Sequence, residues 1–121
     1  MTSLIACLGV GKGTWNEVAS LVAAESWSSI FLITNEFGRE KFAEKFPTVK
    51  AEFVLINDFD QPQQLAERIK KALDGKISDI EVAVNIASGS GNVHMALITA
   101  LQHLGLGMRF VMPSESGAKE L

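Results

Sequence analysis

The stretch SLIACLGVGKGTWNEV, residues 3–18, decides the fold of this chain. Its first six residues form an apolar run, which is typical of a strand buried on both faces of a sheet. A glycine-rich segment follows at 9–14, and Thr14 and Glu17 then have the spacing of a helix capping box. A strand, a glycine-rich loop and a helix in direct succession indicate the first unit of an α/β fold.

The same alternation continues along the rest of the chain. Further apolar runs, typical of strands, lie at 29–34, 52–56, 81–86 and 108–112. The intervening stretches at 38–45, 61–74 and 91–104 are predicted to be helices, and Asp60 is a candidate N-cap for the one at 61–74. Right-handed crossovers then predict a Rossmann-like, doubly wound and mainly parallel five-stranded sheet in the order 3-2-1-4-5, with helices on both faces.

Length and composition predict one domain and exclude several classes of function. The 121 residues suffice for a single hydrophobic core, so 1–113 is predicted to be one Rossmann-like nucleotide-binding domain and 114–121 a polar C-terminal tail. The net charge of −3 argues against binding to long nucleic acids, which need a broad basic face. Cys7 is the only cysteine, so an internal disulfide is excluded.

The expected location is the cytoplasm, because the chain lacks the pattern of a signal peptide and any run of about 20 apolar residues that would span a membrane. Glu36, Asp58 and Asp60 follow strands without the spacing of a metal site, so neither a metal nor a cofactor is predicted.

The first glycine-rich loop is a candidate phosphate site. In the predicted strand order the first and fourth strands are neighbours, and ligands of such folds bind where their carboxyl ends meet. Glycines let backbone N–H groups approach an anion, and the N-terminus of the following helix favours negative charge. The candidate residues are Gly9, Gly11, Lys12, Gly13 and Thr14, with Lys12 supplying a positive charge. The structural alternative is a flexible turn with a solvated lysine.

The second candidate loop connects the fourth strand to the fourth helix, and it is predicted to face the first across the sheet. Small and hydroxyl-bearing residues at a helix start again favour an anion. Its candidate ligand-binding residues are Asn85, Ser88, Gly89, Ser90, Gly91 and Asn92. The structural alternative, an N-cap followed by a glycine turn, accounts for one serine of this cluster. His94 is a candidate acid or phosphate donor, with a structural histidine as the alternative.

Two other features bear on packing and assembly. The fourth helix is apolar almost all round, which indicates burial, and a second subunit can supply part of that burial. Trp15 directly follows the first loop, and core packing is favoured over stacking on a base.

The two loops together resemble a known family. The segment NIASGSGNVHM at 85–95, the helix ALITALQHLG after it and LGVGKGT at 8–14 resemble the CARF domains, the CRISPR-associated Rossmann fold. The resemblance implies a homodimer that binds a cyclic oligoadenylate across its two-fold axis, either as a sensor or as a metal-independent ring nuclease. It implies catalytic roles for Lys12, which would stabilise developing charge, and for His94, a candidate acid. Asn92 stands where the family often has a basic residue.

Two alternatives belong to other classes of function. The segment ACLGVGKGT from Ala6 is similar to the adenylate-kinase type of phosphate-binding loop, GxxGxGKGT, without its first glycine. This predicts a phosphotransferase that binds a nucleoside triphosphate with magnesium. The dinucleotide pattern GxGxxG fails at Thr14. The other alternative is an interaction module whose glycine loops are only turns, and it predicts no nucleotide binding.

Overall fold

Strands and helices alternate in the computed structural model, which describes residues 2–9 and 13–121. This confirms the α/β class. The helices of the described residues are α1 (Gly13–Ala24), α2 (Glu36–Lys45), α3 (Pro62–Leu73) and α4 (Gly91–His103). The strands are β1 (Leu4–Cys7), β2 (Ile30–Thr34), β3 (Glu52–Leu55), β4 (Glu81–Asn85), β5 (Gly107–Ser114) and β6 (Gly117–Glu120).

The six strands form one sheet in the order β3-β2-β1-β4-β5-β6, a Rossmann-like arrangement. The pairs from β3 to β5 are parallel, and the register between β1 and β4 places Ala6 opposite Asn85. The predicted five-strand order 3-2-1-4-5 differs from the observed one because it lacks β6. The chain reverses its winding between β1 and β4, so their carboxyl ends form the switch point where ligands of such sheets bind.

The residues predicted to be a polar tail, 114–121, contain the end of β5 and the whole of β6. β5 extends to Ser114, and β6 pairs with it in the antiparallel direction, with Val111 opposite Glu120. Gly117 adopts a φ of +113° at the end of the hairpin turn, and the Ser114 hydroxyl donates to its carbonyl at 2.7 Å. A short edge strand needs no apolar run, so polar composition concealed it.

The starts of three helices also differ from prediction. α3 has Gln61 rather than Asp60 as its N-cap, because Pro62 occupies the first helical position and favours an extended residue before it. α2 begins at Glu36, since the Asn35 side chain accepts from the amide of Gly38 and caps the helix two residues earlier than expected. In α1, Thr14 lies inside the first turn rather than at the N-cap position that its spacing from Glu17 predicts.

Both faces of the sheet are covered, which explains the continuous apolar runs. Ile5 and Cys7 pack into the core formed with α3 and α4, whereas Ala6 packs into the core formed with α1 and α2. α4 buries most of its apolar side chains in this way and leaves Met95 about half exposed. None of the helices in the described part of the chain has the length and apolar character that crossing a bilayer requires.

Candidate functional site

A cavity of about 520 Å³ lies at the carboxyl ends of β1 to β4. Its volume falls within the usual range for small-molecule sites, and its position is the switch point of the sheet. The lining combines apolar side chains with the two glycine-rich loops and a third loop, between β3 and α3. It consists of Leu8, Gly9, Thr14, Ile33, Ile56, Asp58, Phe59, Ala87, Ser88, Gly89, Ser90 and Val93.

The two glycine-rich loops touch each other. The amide of Gly9 donates to the Ser88 hydroxyl oxygen at 2.7 Å, which joins the β1–α1 loop to the β4–α4 loop. A Cβ atom on Gly9 would lie 2.6 Å from the Gly89 nitrogen and 2.7 Å from its Cα. Such distances are shorter than any van der Waals contact, so only glycine lets these backbones approach so closely.

Gly89 is required for a different reason. Its φ of +98° is a conformation that other residues adopt only with strain. A Cβ there would also lie 3.2 Å from His94 Nε2 and 3.3 Å from the Cβ of Cys7. This glycine therefore allows the sharp turn at the end of β4 and the close packing beneath it.

The start of α4 offers backbone donors at this edge of the sheet. Ser90 is the N-cap, and its hydroxyl oxygen accepts from the Val93 amide at 3.3 Å. The first four N–H groups of a helix have no partner within the helix, so those of Ser90, Gly91 and Asn92 remain outside the helical ladder. The helix dipole adds positive potential at the same point, and this end of the helix favours an anion.

His94 forms a hydrogen bond to the backbone of the second loop, between β4 and α4. Its Nε2 lies 2.7 Å from the Ser88 carbonyl oxygen, and because a carbonyl can only accept, Nε2 is the donor. The described lining of the cavity does not include His94. This geometry gives His94 a positioning role for Ser88, and its predicted catalytic role has no contact that supports it.

Asn85 is directed away from the cavity. The side chain is buried, donates from Nδ2 to the Val111 carbonyl at 2.9 Å and accepts from the Ala87 amide at 3.2 Å. These bonds tie the end of β4 to β5 and begin the turn of the second loop. The arrangement makes Asn85 a structural residue of the loop rather than part of the cavity wall.

The remaining predicted residues are brought together only in part. Thr14 lines the cavity, whereas Gly13, Gly91 and Asn92 are exposed on the first turns of α1 and α4, outside the lining. A Cβ on Gly13 or Gly91 would meet nothing within 4 Å. Gly11 and Lys12 lie outside the described residues.

Trp15 belongs to the core, as favoured from the sequence. It is 1% exposed, and its Nε1 donates to the Gly9 carbonyl at 2.8 Å. Its ring contacts Phe42 edge to face, with centroids 6.0 Å apart. The indole therefore fixes Gly9 from one side while Ser88 fixes it from the other.

Sequence reasoning missed the apolar lining residues of the cavity and, with them, Asp58 and Phe59. Both lie in the β3–α3 loop, and the Asp58 carboxylate accepts from the side-chain amide of Asn35. The sequence places Asp58 after a strand without the spacing of a metal site, and in the described residues no group of three or more His, Cys, Asp or Glu side chains could hold a metal ion. The feature of the sequence that points to this loop is a large aromatic residue inside the polar turn NDFDQP at 57–62.

Cys7 lies beneath the second loop, and its thiol is buried. Burial raises the pKa of its thiol from 9.0 to about 12, because the apolar surroundings disfavour the thiolate. The thiol is therefore protonated at neutral pH, and the floor of the site is uncharged at this position.

The geometry of Ala6 bears on the kinase-type alternative. Ala6 occupies the position of the first glycine in that pattern, yet it lies inside β1 and pairs with Leu32 on one side and Asn85 on the other. A loop that begins at residue 6 would break both pairings. This argues against the adenylate-kinase type of phosphate loop in this chain.

Comparison with known proteins adds no assignment. No protein-family model matches the chain, and no curated protein matches it either. Inferences about function therefore rest on the geometry of the site and on the residues that form it.

Proposed function

We propose that the cavity at the switch point binds a phosphate-bearing nucleotide, with its phosphate at the two glycine-rich loops. The observation that carries this proposal is the 2.7 Å contact between the Gly9 amide and the Ser88 hydroxyl. It joins the loops that precede α1 and α4, and Thr14 and Ser90 from the starts of these helices line the same cavity, so both helix dipoles favour an anion there. Turns that serve only to pack the two loops together, the structural alternative, would bind no nucleotide.

The proposed ligand is a cyclic oligoadenylate, and the proposed assembly is a cytoplasmic homodimer. The resemblance of the two loops to CARF domains supports both. The cavity volume of about 520 Å³ suits one small ligand, whereas a ring of several nucleotides is larger. Two facing chains would supply two cavities to one ring. The partly exposed Met95, on the first turns of α4, supplies apolar surface close to the site for such an interface.

The cleaving version of this function needs no metal. A ribose 2′-hydroxyl of the bound ring attacks the adjacent phosphorus, a P–O bond to the 5′ oxygen breaks, and a 2′,3′-cyclic phosphate and a 5′-hydroxyl form. The proton lost by the 2′-hydroxyl is balanced by the one that the 5′ oxygen gains. Lys12 and the loop N–H groups would stabilise the charge that develops on the phosphate.

The test is isothermal titration of the chain with cyclic tetra-adenylate, followed by chromatography of the mixture. We expect binding of one ring per two chains, and linear products if the protein is a ring nuclease. The absence of heat with cyclic tetra-adenylate, together with binding of magnesium-ATP, would overturn the proposal and favour a phosphotransferase.

A charge-removal variant addresses Lys12. We expect Lys12→Ala to weaken binding of cyclic tetra-adenylate and to slow any cleavage, because a positive charge near the phosphate is lost. Lys71→Ala, which removes the same charge from an exposed position near the end of α3, is the matched control. Equal affinity and cleavage in the two variants would remove Lys12 from the site.

A further inference from the structure

Phe59 is the most exposed large apolar side chain among the described residues, at 94%. Single exposed apolar residues are common and need no explanation by themselves. Phe59 differs because it lines the cavity at the switch point. Its backbone is also held in place, since its amide donates to Asn57 Oδ1 at 3.0 Å and the Asp60 amide donates to the Asn57 carbonyl at 3.0 Å.

The cavity extends from the glycine loops to Phe59 across an apolar floor. The strand order places β3 three positions from β4, and with strands about 4.8 Å apart the span is roughly 14 Å. Ile33 and Ile56 line the part near β2 and β3, while Leu8 and Val93 line the part near β1 and β4. An apolar floor of this length suits a flat ring system rather than a second phosphate.

The two ends of the cavity differ in electrostatic character. The glycine-loop end carries backbone donors and the positive ends of helix dipoles, which favour an anion. The opposite end carries the Asp58 carboxylate, which repels a phosphate but accepts hydrogen bonds from N–H groups. The side-chain amide of Asn35 donates to this carboxylate and so orients it. This distribution of charge suits a nucleotide whose phosphate lies at the glycine loops and whose base lies at the β3–α3 loop.

We infer that Phe59 is the platform on which the nucleobase of the ligand stacks, and that Asp58 beside it accepts a hydrogen bond from the exocyclic amino group of that base. This inference rests on the proposed function, since it requires a nucleotide in the cavity. Aromatic side chains stack on every base through the π-face, so Phe59 supplies affinity. A carboxylate prefers bases that carry an amino group, so Asp58 supplies a preference for adenine over uracil.

The first test compares Phe59 variants in titrations with cyclic tetra-adenylate. In the proposed dimer Phe59→Ala removes one stacking platform from each of the two chains, so binding of the ring should weaken by roughly 5- to 150-fold for each base that loses its platform. Phe59→Trp, which keeps an aromatic face, should retain binding. Ile80→Ala is the matched control, because Ile80 is 88% exposed and directly precedes β4, at the opposite edge of the sheet.

The second test measures the ratio of affinities for cyclic tetra-adenylate and cyclic tetra-uridylate. The natural chain should prefer the adenylate, and Asp58→Asn should reduce that preference, because an amide accepts less strongly and also presents donors to the base. Urea unfolding of each variant would verify that the exposed positions leave the fold intact.

The outcomes separate this inference from the function on which it rests. Natural protein that binds cyclic tetra-adenylate, with Phe59→Ala binding equally well, would overturn the stacking role alone. An unchanged preference in Asp58→Asn would overturn the role of Asp58. If the natural chain bound neither cyclic tetra-adenylate nor AMP nor ATP, the proposed function and this inference would both be wrong.

Discussion

The two walls of the cavity are built in opposite ways. The wall made by the glycine loops is tightly packed, since Gly9, Gly89 and Ser88 approach one another at distances that leave no room for another carbon atom. The wall made by the β3–α3 loop carries a phenylalanine that is almost fully exposed. The first wall therefore serves the fold as well as the ligand, whereas the second can serve the ligand with little consequence for stability.

Gly9→Ala is expected to have the largest effect on stability. Its Cβ would meet backbone atoms of Gly89 that cannot rotate away, so the two loops must separate, at a cost of about 3 kcal/mol in the free energy of unfolding. Urea unfolding measures this directly. Gly13→Ala is the control, because its Cβ meets nothing and alanine favours a helix. Equal stability of the two variants would mean that the glycine loops do not form a tightly packed wall.

Gly89→Ala should cost somewhat less, about 2 kcal/mol, because the strain comes mainly from one residue with positive φ. The control within the same loop is Gly91→Ala, whose Cβ lies in open space at the start of α4. Thermal or urea unfolding of this pair would distinguish a requirement for backbone conformation from a general requirement for glycine in the loop. A Gly91→Ala variant as unstable as Gly89→Ala would contradict this account.

Cys7, sealed beneath the glycine wall, should make stability depend on pH. Its pKa is 9.0 when exposed and about 12 when buried, so above pH 9 the unfolded chain loses a proton that the folded chain keeps. Stability contributed by the buried thiol is complete below pH 9 and is lost as pH rises toward 12, at about 1.4 kcal/mol per pH unit. Urea unfolding of the natural chain at pH 8 and pH 10 should show this loss. In Cys7→Ala the free energy of unfolding should not show this loss between pH 8 and pH 10, because the variant has no thiol.

Phe59→Ala should have the smallest effect on stability, within about 0.5 kcal/mol, because almost none of the side chain is buried. Phe42→Ala, which removes a fully buried ring, is the contrasting variant and should cost about 3–5 kcal/mol. A large loss of stability in Phe59→Ala would show that the second wall also supports the fold, and the contrast between the walls would disappear.

Much of the fold could be predicted because local patterns and chain topology leave few choices. The apolar runs, the glycine loop after β1 and the helix starts predict an α/β chain, and right-handed crossovers place β1 beside β4. The hairpin of β5 and β6 could not be predicted in the same way. An edge strand with polar side chains has no periodic apolar signal, and its pairing depends on the turn at Gly117.

The candidate site, like the fold, could be predicted only in part. The sequence by itself determined that two glycine-rich loops follow neighbouring strands, because backbone freedom and strand order are properties of residue type and connectivity. Only the tertiary structure decided that Gly9 meets Gly89, that His94 and Asn85 bond to the backbone, and that Asp58 and Phe59 reach the cavity. Side-chain direction and contacts between loops depend on packing across the sheet, which residues distant in sequence settle together.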